Sequence, residues 1–219
     1  MRRLLLLRHA STAALRRSAF PLDEELDAAG VAAASALRGR LGRGASDAMC
    51  SPSVRTRATA VACGLDAVEV PALAECDFGN WGGRTLAEVW ETAPVEAEAW
   101  MTDPDAAPHG GESLREVLAR VGAWMSSEME RSGSAVAVTH GGVIKAAVVN
   151  ALGTEPAAFW HMDASPLHVT ELHGHDRRWT VACLNAPVVA EDGVGGDGPS
   201  AAVTNGGVPE DAPAGAAAP

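Results

Sequence analysis

The chain has 219 residues, 47% of them apolar, with a mean hydropathy of +0.03 and a net charge of −11 at pH 7. That length carries one sizeable α/β domain and a tail, and the acidic balance argues against nucleic acid or an anionic membrane surface as the main partner. Four cysteines (Cys50, Cys63, Cys76, Cys183) show no Cys-x-x-Cys spacing, so reduced thiols in a cytoplasmic protein are expected.

In chain order, "MRRLLLLRHA" imitates a secretion signal only briefly. Its apolar run is four residues before charge returns at Arg8, short of an h-region, and no stretch approaches a membrane span. "RLLLL" (3–7) reads instead as a central strand covered on both faces. "LDAAGVAAASALRGRL" (26–41) reads as an Ala-rich helix, with Asp27 near its start and Gly42 after its end. "DAMC" (47–50) is a second strand. "SPSVRTRATAVACGL" (51–65) is a cap and helix, begun by Ser51 or Ser53 and closed by Gly64. "AVEV" (67–70) is a third strand.

Residues 77–112 are irregular and rich in Gly, Pro and Trp, with short helices expected at 85–92 and 94–101. The next helix, 113–130, opens on a Ser113/Glu116 capping box, and Leu114, Val117, Leu118, Val121 and Met125 share one face. "SAVAVT" (134–139) is a buried strand leading into a helix over 140–152. "HVTELH" (168–173) and "WTVACL" (179–184) form a hairpin across "GHDRR". The whole reads as a three-layer α/β/α sandwich on a mostly parallel sheet over 1–185. Residues 186–219, rich in Ala, Gly and Pro and without an aromatic, are expected to form a disordered tail, with at most a short strand at Val188–Val189.

Ligands of open α/β sheets sit beyond the carboxyl ends of the strands. Strand one ends in Arg8-His9, the second leads to Arg55, the third to Glu75, and "SAVAVT" to His140-Gly141-Gly142. Two arginines, two histidines and a carboxylate suit phosphoryl transfer. A histidine attacks phosphorus, forked guanidinium donors hold the charged oxygens, and a carboxylic acid protonates the leaving oxygen. The chemistry requires no metal or other cofactor.

"LLRHAST", "SPSVRTRATA", "LAECDFGNWGG", "GGESLREVLARV" and "AVTHGGVIKA", in this order, resemble the histidine phosphatase superfamily, the phosphoglycerate mutase-like proteins with an Arg-His-Gly signature. The resemblance implies that fold and a phosphohistidine mechanism. His9 is then the nucleophile, Glu75 the proton donor, and Arg8, Arg55 and His140 the phosphoryl clamp, with Thr12 and Gly141 as further phosphate contacts. Ala10 and Ser11 stand where the family carries glycine and an acidic or amide residue.

The Glu75 segment with "DFGNWGG" is similar to the phosphatase branch that includes alpha-ribazole and broad-specificity phosphatases. It implies hydrolysis of a small phosphorylated metabolite, with a homodimer as a fair prior for the fold. Three alternatives stay open: mutase-type phosphoryl transfer, a protein phosphohistidine phosphatase, and an inactive phosphate-binding module. Within 77–112 the only Lys or Arg is Arg84, which argues against a doubly phosphorylated ligand. Phe78, Trp81, Trp90 and Trp100 either meet a substrate body or form their own small core. Arg16, Arg17, His109 and Glu112 are further candidate substrate contacts. His161, His168, His173 and His175 fit no standard metal spacing. Lys145, the only lysine, reads as a mark of GC-rich coding.

Overall fold

The computed structural model describes residues 1–41 and 45–188. Six strands form one sheet in the order β3-β2-β4-β1-β5-β6. They are β1 (Arg2–Arg8), β2 (Ala45–Cys50), β3 (Val68–Glu69), β4 (Gly133–Thr139), β5 (His168–His175) and β6 (Arg178–Pro187). The pairs β1/β4, β2/β4 and β2/β3 are parallel, and β5 is antiparallel to both neighbours, so the sheet is mixed with a parallel half.

The leucines of β1 show why the sheet is covered twice. Leu4 and Leu6 pack on one face with Val117, Val121 and Met125 of α6 (Leu114–Met129) and Ile144 and Ala147 of α7 (Gly141–Leu152). Leu7 packs on the other with Ala34 of α2 (Ala28–Ser35) and Ala60 and Cys63 of α3 (Val54–Cys63). Leu4, Leu6 and Leu7 are all fully buried, which is the period-two alternation of a strand between two helical layers. The three-layer α/β/α architecture follows.

The expected end signals form. Ser113 and Glu116 make a reciprocal capping box on α6, and Gly64 ends α3 at φ 76°. Asp27 caps α2 through its carboxylate and the Gly30 N–H.

Several elements differ from their expected extents. The helix expected over 26–41 stops at Ser35. Beyond it Leu37, Arg38 and Arg40 donate to carbonyls three residues back, and Gly39 turns at φ 73°. Leu37 and Leu41 still reach the core from these turns. The Gly42 stop lies outside the described residues. A short helix not expected from sequence, α1 (Ala13–Arg16), is capped by Thr12. At the other end β6 runs to Pro187, past the boundary read at 185, and the tail beyond Val188 lies outside the described residues. Asp176 and Arg177, both at positive φ, turn the β5–β6 hairpin.

Residues 77–112 contain α4 (Leu86–Thr92) and α5 (Pro94–Thr102), as their sequence predicts. Phe20, Trp81, Val89 and Ala97 make a separate small core there, with Phe78 and Trp100 packed against it. No helix among the described residues is long and apolar enough to cross a membrane.

Candidate active site

Because β1, β2, β3 and β4 run parallel, their carboxyl ends open on one edge. The register pairs Arg8 with Thr139 and Cys50 with Val138, so the next residues on these strands become neighbours. The His9 N–H donates to the Thr139 carbonyl (2.9 Å), and the His9 and His140 rings lie 5.2 Å apart, edge to face. The Thr59 hydroxyl donates to the Arg55 carbonyl (2.7 Å) and accepts from the Ala10 N–H (3.1 Å), tying α3 to the end of β1. The Thr139 hydroxyl donates to the Leu73 carbonyl (2.8 Å), fixing the short turn that leads to Glu75.

His9 is 5% exposed, and its Nδ1 lies 2.7 Å from the Ala10 carbonyl. A carbonyl only accepts, so Nδ1 carries the proton and Nε2 keeps its lone pair. Burial first, then the Arg55 charge, push the imidazole down to about 3, and Arg8 adds in the same direction. His9 is therefore neutral over the physiological range. His140 is buried and held well below its ordinary value, by desolvation and then by Arg55.

The partners of His140 set its tautomer. Arg55 Nη2 donates to His140 Nδ1 (3.2 Å), because a guanidinium cannot accept. Nε2 then holds the proton and gives it to the Ser51 hydroxyl (2.8 Å). Ser51 is fully buried and belongs to the site; its reading as a helix cap missed this, because the partner lies 89 residues away.

The guanidiniums are placed by backbone. Arg8 Nη1 donates to the Ala164 carbonyl, and Arg55 Nη1 to the Leu22 carbonyl (2.9 Å). The Nε–H of each arginine is buried without a partner. Two unspent donors beside a neutral nucleophile make a site for an anion. Burial lowers both arginines from their ordinary value while Glu75 raises them, and a guanidinium stays charged regardless.

The two glycines of "HGG" leave room for the side chains beside them. A Cβ on Gly141 would meet Arg8 Cζ at 3.3 Å, and one on Gly142 would meet Glu75 Oε1 at 2.3 Å. Gly141 thus seats the Arg8 guanidinium, and Gly142 admits the Glu75 carboxylate. Arg120 of α6 supports that carboxylate's loop, donating to the Ala72 (2.7 Å) and Ala74 (3.0 Å) carbonyls and to Glu112 (2.9 and 2.7 Å).

Arg8, His9, Arg55, Glu75 and His140 therefore converge, and the other candidates separate from them. Thr12 lines the cleft beside His9, but its hydroxyl caps α1 and donates to Glu24 (2.8 Å). Arg16 is exposed and bonded to Asp27 (2.8 Å), and Arg17 is exposed. His109 is buried behind Phe78 and Trp81, and Glu112 is committed to Arg120. Ala10 is fully buried and is not among the described residues at positive φ, so the methyl replaces the usual glycine without backbone strain. Ser11 donates to the Asp27 carboxylate (2.9 Å).

Trp81 is a core residue at 2% exposure and Trp90 sits outside at 39%. Phe78 and Trp100 instead line cavities on both sides of Glu75. His161 closes the 3-10 turn Pro156–His161, and His168, His173 and His175 lie on β5. His173 pairs with Glu171 (2.6 Å) and His175 with Asp176 (3.1 Å). Sequence reasoning also missed Lys145, which reaches the cavity beside Glu75 from α7.

Residues 4–187 match the histidine phosphatase superfamily (branch 1), and the chain belongs to that family. Phosphoserine phosphatase 1 of Hydrogenobacter thermophilus is 29% identical over 195 residues, covering 84% of this chain and 92% of that protein. Glucosyl-3-phosphoglycerate phosphatase of Mycobacterium tuberculosis is 37% identical over 176 residues, covering 73% of this chain and 78% of its own length. Among solved structures, the mycobacterial glucosyl-3-phosphoglycerate phosphatase in complex with VO3 superposes with a TM-score of 0.74. It is 32% identical and covers 85% of this chain and 100% of that one. The alpha-ribazole phosphatase of Shigella flexneri, at 24% identity and a TM-score of 0.74 over 86% of this chain and 99% of that one, shares the fold.

Proposed function

We propose that the protein hydrolyses a small phosphomonoester without a metal ion, through a phosphohistidine on His9. The observation that carries this reading is the His9 tautomer. With Nδ1–H fixed on the Ala10 carbonyl, Nε2 keeps its lone pair in a site that also feels the Arg8 and Arg55 charges, whose Nε donors are unspent.

In the first step His9 Nε2 forms a bond to phosphorus as the bond to the ester oxygen breaks. The leaving oxygen takes a proton from the Glu75 carboxylic acid, and the alcohol departs. In the second step Glu75 takes a proton from water, whose oxygen bonds to phosphorus as the phosphorus–Nε2 bond breaks, releasing inorganic phosphate. Arg8 and Arg55 hold the charge on the non-bridging oxygens throughout. His140 keeps Arg55 aligned by accepting at Nδ1.

The relatives named as phosphatases support the hydrolase reading over the inactive module. The scarcity of cations in 77–112, where Arg84 faces outward to Thr92, supports it over a mutase. The test is turnover of p-nitrophenyl phosphate with a chelator present. The expected result is chelator-resistant hydrolysis that drops by at least about 10⁴-fold in His9→Ala. An intact protein that turns over no phosphomonoester would overturn the reading.

A further inference from the structure

Of the three cavities that Glu75 lines, two also share Arg8. One, of about 240 Å³, holds His9, and Arg8, Glu75, Phe78 and Trp100 also line it. The other, of about 200 Å³, shares those four residues but not His9, and adds Lys145, Phe159, Trp160 and Asp163. The Lys145 ammonium stands 4.1 Å from the Phe159 ring centre and 5.5 Å from that of Trp160. Among the described residues no hydrogen bond or ion pair engages it.

The charged groups around that cavity are Arg8, Lys145, Glu75 and Asp163. Arg8 belongs to the phosphoryl clamp. Asp163 is exposed at the rim, and its carboxylate accepts from the Ala164 N–H (2.8 Å) and the Ser165 hydroxyl (3.3 Å). Lys145 is then a partly desolvated cation with aromatic neighbours and no anion of its own, an arrangement that favours binding one. Glu75, which protonates the leaving oxygen in the proposed mechanism, opens onto both cavities, so an alcohol leaving from Glu75 has this second cavity to extend into.

We infer that Lys145 receives a carboxylate carried by the leaving alcohol, so that the preferred substrates are phosphomonoesters of hydroxy acids, with any apolar or cyclic body against Trp100 and Trp160. A carboxylate fits better than a second phosphate. A single ammonium is a point charge without the forked donors that suit phosphate, and Asp163 on the same cavity would repel a dianion more than a monoanion. This assignment rests on the phosphatase reading above and deepens it.

Two matched probes test it: 3-phosphoglycerate, and glycerol 3-phosphate, which carries a hydroxymethyl group in place of the carboxylate. The expected result is a preference for the carboxylate probe of roughly tenfold or more in kcat/KM, the scale of one charge-assisted hydrogen bond. Lys145→Met should abolish that preference, chiefly through KM, and Lys145→Arg should restore part of it. Equal use of the two probes, or an equal loss on both in Lys145→Met, would overturn the assignment. Calorimetric binding of the same probes reads the preference independently of turnover. A protein that binds both with the expected discrimination yet hydrolyses no phosphomonoester would overturn the hydrolase reading and leave this one standing.

Discussion

The phosphoryl end of the site and the cavity beside it are built on different principles. At the proposed phosphoryl end three of the polar groups are positioned by backbone: His9 by the Ala10 and Thr139 carbonyls, Arg55 by the Leu22 carbonyl, Arg8 by that of Ala164, while His140 is held by Ser51 and Arg55 side chains. Of these anchors Thr139 ends the parallel strand β4, while Ala10, Leu22 and Ala164 lie in the loops along the same edge. The adjoining cavity is walled by aromatic side chains from the irregular segment 77–112 and from Phe159 and Trp160, with Lys145 as a cation not anchored by the backbone. Chemistry rests on the sheet, and discrimination between substrates falls to segments free to vary around it.

That contrast is open to direct challenge. After the loss of His9, the largest effect is expected from Glu75→Gln, which keeps shape and removes the proton. It should lower kcat by about 10² to 10⁴-fold on alkyl phosphates and much less on p-nitrophenyl phosphate, whose leaving oxygen needs little help. An equal loss on both substrates, measured by steady-state kinetics, would remove Glu75 from the proton donor's role.

A smaller loss is expected from Gly142→Ala. The added Cβ would lie 2.3 Å from Glu75 Oε1, so the carboxylate must move. Displacement on that scale should cost up to about 10²-fold in kcat with the fold intact by circular dichroism. An unchanged kcat would show that the carboxylate's position is not fixed by this contact.

The smallest effect is on stability against pH. His9 is pushed down to about 3 from an unfolded value of 6.5, and His140 is held well below that same unfolded value. As pH falls through 6.5 the unfolded chain takes up protons at these two positions and the folded chain does not, so the folded state loses stability from pH 6.5 downward. Denaturant midpoints measured across that window should fall less steeply in His9→Asn, by up to about one proton's worth of slope. An unchanged slope would mean that His9 is not held neutral by its surroundings.

Much of the sheet and its helices was legible in the residues because the signals were local. The four leucines before Arg8, the Ser113/Glu116 capping box and the Gly64 stop each act within one turn or strand of themselves. The helix over 26–41 was overread because alanine favours helix without saying where tertiary packing turns the chain. Here the i→i−3 bonds beyond Ser35 and Gly39 bring Leu37 and Leu41 to the core by another path. Of the site, Arg8, His9, Arg55, Glu75 and His140 were found by asking what leaves each strand. Ser51 and Lys145 were missed because nothing near them in the chain announces a partner.

By itself, then, the sequence determined the strands, the caps and the five polar residues that the strand exits deliver. Period-two burial, turn chemistry and residue type are properties of short segments. The tertiary structure alone decided which imidazole nitrogen is free, that Thr12 is spent on Glu24, that Ala10 fits without strain, and that the only lysine stands among aromatic rings beside Glu75. Each of these depends on a contact between residues distant in the chain, or on the backbone angle at one position, and neither is written in a pattern of neighbours.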